Sequence, residues 1–102
     1  MVRSTNYYDD LKESFQKNPS EAATYLEVVI EEGDSHKLRI ALRNVLEAYG
    51  GVNNLSPTAK SHYQKLDLAL SNTGFPELYS LVNLLDEIGF QLAVNIKNNS
   101  VA

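Results

Sequence analysis

The stretch GVNNLSPTAKSHYQKLDLALS, residues 51–71, decides the fold. Its apolar residues Leu55, Ala59, Leu66, Ala69 and Leu70 recur at helical intervals. Ser56-Pro57 interrupts any single helix through the whole stretch, because proline lacks the N–H that a helix interior uses. Two arrangements satisfy this pattern. Two short helices meet near Lys60, or one helix is capped by Ser56 and takes Pro57 as its first residue, where the missing N–H costs nothing.

Working towards the N-terminus, the same logic gives more helices. Gly50-Gly51 closes a helix that starts after Asp34 or Ser35 and carries Leu38, Ala41, Leu42, Val45 and Ala48 on one stripe. Before it, Asn18-Pro19 opens a helix over 19–32 that buries Ala22, Tyr25 or Leu26, Val29 and Ile30, and Gly33 stops it. A shorter helix over 6–17 presents Tyr8, Leu11 and Phe15. Towards the C-terminus, Asn72-Thr73-Gly74 is a turn, followed by an amphipathic helix from Pro76 to Ile88 through Leu78, Leu81, Val82, Leu85 and Ile88. After Gly89 the period changes. Phe90, Leu92, Val94 and Ile96 alternate with Gln91, Ala93, Asn95 and Lys97, which is strand patterning without a partner strand elsewhere in the chain. Asn98 to Ala102 are expected to fray.

The expectation is therefore an all-α domain over 1–102: five to six short helices and one short C-terminal strand. A helical part spans about 6–50, a second part about 51–89, and the strand about 90–96. With 102 residues, 43% hydrophobic and 22% charged, the chain has room for one core and is too apolar for disorder. No apolar run reaches the roughly 18 residues that span a bilayer, so no membrane role is expected. The opening MVRSTNYYDD has no apolar stretch after Arg3 and does not read as a secretory signal; a cytoplasmic location is expected. Without cysteine there is neither a disulfide framework nor thiolate chemistry.

Charge narrows the choice of partners. The net charge is −4. Residues 1–50 hold six Lys/Arg against nine Asp/Glu, residues 51–102 three against four, so acid gathers in the first half. Neither His36 nor His62 has a second histidine or a carboxylate at metal-ligand spacing, and nothing assembles a nucleophile, base and orienting group. No catalytic residue, metal site or cofactor is expected, and a binding role follows.

The segments Asn18-Pro19-Ser20-Glu21-Ala22-Ala23-Thr24-Tyr25-Leu26, Glu31-Glu32-Gly33-Asp34 and Ala41-Leu42-Arg43-Asn44-Val45 resemble the addiction-module antidote proteins, HigA-like antitoxins with a Cro/C1-type helix-turn-helix. The likeness continues through Gly51-Val52, Leu55, Leu66, Ala69-Leu70-Ser71, Gly74, Pro76, Leu81, Leu84, Leu85 and Gly89-Phe90-Gln91-Leu92, covering about residues 18–94. The resemblance implies a helix-turn-helix core with a first helix near 53–59 and a recognition helix near 62–71. It implies a transcriptional regulator that represses its own operon by binding operator DNA and neutralises a cognate RelE/HigB-like toxin, acting as a homodimer. Where such proteins carry a turn glycine and a bulky apolar residue, this chain has Lys60 and Ser61.

Residues follow from these expectations. Lys60, Ser61, His62, Tyr63, Gln64 and Lys65 are the candidate DNA-binding set, with Gln64 suited to adenine and the lysines to phosphate. An ordinary exposed helix face is the competing reading. Arg39 and Arg43, with His36, make a cationic stripe that an Arg43–Glu47 pair closes; Glu27 and Glu31, near Glu32 and Asp34, make an acidic end. Glu27, Glu31, Arg39 and Arg43 are the candidate contacts for a protein partner, and Phe90, Leu92, Val94 and Ile96 those for dimerisation by strand pairing. The alternative to the DNA-binding antitoxin is a protein-interaction module of the same fold without operator binding.

Overall fold

The computed structural model describes residues 7–97. Its elements are α1 (Tyr7–Lys17), α2 (Pro19–Glu32), α3 (Ser35–Ala48), a single 3-10 turn (Val52–Asn54), α4 (Pro57–Thr73) and α5 (Leu78–Glu87). Local chemistry sets these limits. Asp34 accepts hydrogen bonds from the backbone N–H groups of His36 and Lys37 at 2.9 and 3.1 Å, capping α3. Gly33, at φ 74°, closes α2 in the left-handed conformation that a side chain would strain. Asn18 stands at the start of α2 as expected, but its side chain makes no cap bond and instead donates to Glu21 at 3.3 Å.

The stretch that decides the fold is one helix. Ser56 Oγ accepts from the Ala59 N–H at 3.1 Å, and Pro57 takes the first helical position. The Lys60 N–H already reaches the Ser56 carbonyl at 2.8 Å. The expected turn at Lys60-Ser61 is therefore absent, and the helix-turn-helix with helices near 53–59 and 62–71 is not formed at those positions. The physical reason is plain: every positive φ among the described residues belongs to a glycine, and position 60 has none. Lys60 is a good helix former in the second turn of a capped helix, so nothing stops propagation until Gly74.

α3 is the central element. It packs on α1, α2 and α4, while α5 packs on α4. One core results, with Phe15 from α1, Leu26 from α2, Leu42, Val45 and Leu46 from α3, Leu66 and Leu70 from α4, and Leu81, Leu84 and Leu85 from α5. Each such leucine withdrawn from water stabilises the fold by roughly 1.5–3 kcal/mol before entropy is counted. Two expected core residues are instead exposed. Ile30 lies at the margin of the stripe formed by Ala22, Leu26 and Val29, and Leu78 is the first residue of α5. Tyr25 and Leu11 are half-buried against the core; the side chain of Tyr8 lies outside the described residues.

After α5, the Phe90 N–H donates to the Leu85 carbonyl at 2.8 Å, and the Phe90 ring packs edge-on against Tyr49 with centroids 5.9 Å apart. Residues 91–97 then run exposed and without regular structure. The strand expected over Phe90–Ile96 is not formed. A strand exists only where its N–H and C=O groups meet a second one, and no strand occurs among the described residues. Asn98 to Ala102 lie outside the described residues. No helix among the described residues is long and apolar enough to cross a membrane.

Candidate interaction surfaces on α4 and α5

α4 lies between two neighbours, and each fixes one flank. Against α3, Arg39 grips Asp67 with two bonds, Nε to Oδ1 at 2.9 Å and Nη2 to Oδ2 at 3.2 Å. This hydrogen-bonded pair raises the Arg39 pKa further above its already high value. Tyr63 is half-buried against the core. Against α5, Glu77 accepts from the Ser80 N–H at 2.7 Å and caps that helix. The hydrogen bonds from Ser80 hold the Glu77 carboxyl below its usual value, and the nearby positive charges of Lys65 and His62 add to the effect. At the other end of the pair, the Ser56 N–H donates to Glu87 Oε2 at 3.3 Å, which places a carboxylate beside the N-terminus of α4.

The six candidate DNA-contacting residues therefore divide. Ser61, Gln64 and Lys65 are exposed on the outward side of α4, between Thr58 and Leu68. Lys60, His62 and Tyr63 are half-buried on its flanks. The carboxylate on this helix, Asp67, is turned to Arg39 and neutralised. Helix N-termini attract phosphate through their unpaired N–H groups; here Ser56 and Glu87 already occupy that position.

Among the candidate contacts for a protein, Glu27, Glu31 and Arg43 are exposed, whereas Arg39 is engaged by Asp67. The ion pairs among the described residues are Lys17–Glu13, Lys37–Glu32 and Arg39–Asp67; the expected Arg43–Glu47 pair is not formed. Glu47 instead lies beside Gly51. Among the described residues, no group of three His, Asp or Glu side chains converges to hold a metal ion. Two open clefts mark the surface. One of about 380 Å³ lies between α1 and α2, and one of about 410 Å³ is lined by Tyr49, Asn54, Leu55, Glu87, Ile88 and Gly89.

Sequence reasoning missed the corner where α4 turns into α5. Phe75 is 73% exposed, Tyr79 71%, Leu68 60% and Leu78 52%. From Leu68 to Leu85 the one charged residue is Glu77, and it is occupied as the α5 cap. Protein interfaces are distinguished by this composition, aromatic and depleted of charge. The signal is present in the sequence as a long charge gap, but helical patterning puts only Leu78 on a stripe and assigns Leu68, Phe75 and Tyr79 to none. Comparison of the chain with known protein families, curated proteins and solved structures finds no match.

Proposed function

We propose that this protein is a helical protein-interaction module that engages a folded partner through the exposed apolar residues Leu68, Phe75, Leu78 and Tyr79 at the end of α4 and the start of α5. The observation that carries the reading is the exposure of two aromatic and two leucine side chains within a stretch of chain, residues 68–85, whose one charged residue is Glu77. Isolated exposed apolar residues are ordinary, but several close together along the chain, as at Phe75, Leu78 and Tyr79, are a candidate contact site. The absence of a turn at Lys60-Ser61 and the Glu87 carboxylate at the start of α4 weigh against operator reading. In the antitoxin framework that the sequence resembles, the retained activity is neutralisation of a cognate toxin, a RelE/HigB-like protein encoded beside it.

A second reading keeps DNA binding, and one observation favours it. With Asp67 neutralised by Arg39, the outward side of α4 presents Ser61, Gln64 and Lys65 without an acidic neighbour on the same helix. Calorimetry with the product of the adjacent reading frame, and titration of the protein's own promoter at low salt, separate the two. The interaction module binds the protein at micromolar or lower Kd, and Phe75→Ser with Tyr79→Ser weakens this at least tenfold. Submicromolar promoter binding with a steep salt slope, lost in Gln64→Ala and Lys65→Ala, would reverse the choice.

A further inference from the structure

The Phe75 ring stands in solvent, yet its backbone is held from three sides. Before it, Gly74 ends α4 in the left-handed conformation at φ 80°, its N–H donating to the Leu70 carbonyl at 3.1 Å. At Phe75 itself the N–H donates to Thr73 Oγ1 at 3.0 Å. That hydroxyl in turn donates to the Ala69 carbonyl at 2.7 Å, with the Phe75 carbonyl a longer alternative acceptor at 3.3 Å. After it, Pro76 restricts Phe75 to extended backbone conformations, and Glu77 opens α5 by accepting from the Ser80 N–H. The turn also lies against the start of α3, since a methyl group at Gly74 would stand 3.9 Å from Ser35 Oγ. Water satisfies the N–H of an exposed turn as well as a hydroxyl does. What the Thr73 hydroxyl adds is direction.

We propose, on the interaction reading above, that Thr73 is a positioning residue that holds Phe75 as a preset anchor for an apolar pocket on the partner. An aromatic side chain carried on a free loop loses backbone freedom when a partner fixes it, and that loss weakens binding. Here the backbone is ordered before association, by Thr73, Gly74 and Pro76 together. The branched Cβ of Thr73 restricts its own χ1, so the hydroxyl is itself held in place. On the far side Leu78 and Tyr79 belong to the first turn of α5, so the anchor is flanked by a rigid element rather than by loop. The nearest carboxylate in sequence, Glu77, is already hydrogen-bonded as the α5 cap. A single aromatic ring seated in a well-packed pocket is the kind of contact that dominates protein interfaces.

Two variants of the full chain test this: Thr73→Val keeps the shape and removes the hydroxyl, and Thr73→Ser keeps the hydroxyl. Amide exchange followed by NMR, with no partner present, reads the mount. The Phe75 N–H is expected to exchange about tenfold more slowly than in an unstructured chain. It should lose that protection in Thr73→Val and keep it in Thr73→Ser, while the core amides of Leu66 and Leu84 hold theirs in all three proteins. Calorimetry with the product of the adjacent reading frame reads the consequence. Thr73→Val is expected to weaken binding about three- to tenfold, less than Phe75→Ser does, and Thr73→Ser to bind as the unchanged chain does. An unprotected Phe75 N–H in the unchanged chain overturns the proposal, as does protection or full affinity that survives Thr73→Val. Those results leave the interaction reading standing. An unchanged chain that does not bind the product, even with Phe75 protected, overturns the interaction reading and the anchor with it.

Discussion

Leu66 is wholly enclosed and Leu42 and Leu85 are each 3% exposed, as their places on three separate helical stripes require. Truncating any of them to alanine is expected to cost about 2–5 kcal/mol in urea unfolding, since the cavity closes only in part. Ser56→Ala removes the α4 cap and should cost about 1 kcal/mol by the same measurement. Two further caps are carboxylates. Asp34 and Glu77 titrate below their ordinary values of 3.8 and 4.5, Asp34 through the Lys37 N–H foremost and Glu77 through Ser80. The folded state thus binds these protons less readily than the unfolded chain. Their stabilisation is complete above the ordinary values and is lost as pH falls through the lower, folded ones. Glu77→Gln should accordingly flatten the acid limb of the urea midpoint measured from pH 5 to pH 2. Single-residue burial was legible where a position lay at the centre of its stripe, as Leu66 does. It failed at Ile30 and Leu78, which sit at a margin and a helix end, where periodicity alone does not say how far the neighbouring element extends.

At the level of elements, α4 shows how a cap and a missing glycine redraw a motif. Placing glycine at position 60 restores the turn residue of the antitoxin pattern, but into a helix already hydrogen-bonded from Ser56 onward. Lys60→Gly is expected to destabilise the protein by about 1 kcal/mol and to confer no promoter binding. A gain of binding in a low-salt titration would show that α4 breaks when DNA is offered. The boundaries of α1, α2 and α3 were readable to within a residue or two because Pro19, Gly33 and Gly50 punctuate them. For α4 the sequence allowed two arrangements, and the Ser56–Ala59 bond selects the single helix. The C-terminal alternation of Phe90, Leu92, Val94 and Ile96 predicts a strand. Alternation defines a face, however, and a strand also needs a neighbour, which no sequence pattern within this chain provides.

Across the whole molecule, the helices before and after the 3-10 turn meet through α3 and α4, and Arg39–Asp67 ties that seam. Arg39→Ala should lower the urea midpoint and leave Asp67 without its partner on the α3-facing flank of α4. Arg39→Ala with Asp67→Asn should recover part of the loss, a coupling that a double-mutant cycle measures. The corner aromatics behave in the opposite way: Phe75→Ser and Tyr79→Ser should change stability by no more than about 0.5 kcal/mol each, as exposed sites do, and act on association alone. The candidate surface was the least legible feature, because binding patches are defined by what neighbouring elements leave uncovered.

Tyr49 stands at the end of α3 with its hydroxyl donating to the Phe15 carbonyl at 2.9 Å and its ring under Phe90. Burial raises its phenol pKa above 10.0, so the folded state keeps that proton longer than the unfolded chain, and stability falls as pH rises past the ordinary value. One side chain thus splices the last turn of the first helix to the root of the tail, two stations 75 positions apart in the chain. A tug on the tail, by whatever holds it, reaches α1 through this ring and its hydroxyl, alongside the Gln16 amide that donates to the Ala48 carbonyl at 3.0 Å. Tyr49→Phe cuts that wire at the hydroxyl and leaves the ring in place. Amide exchange at the C-terminal end of α1, compared between the two proteins, would register the break.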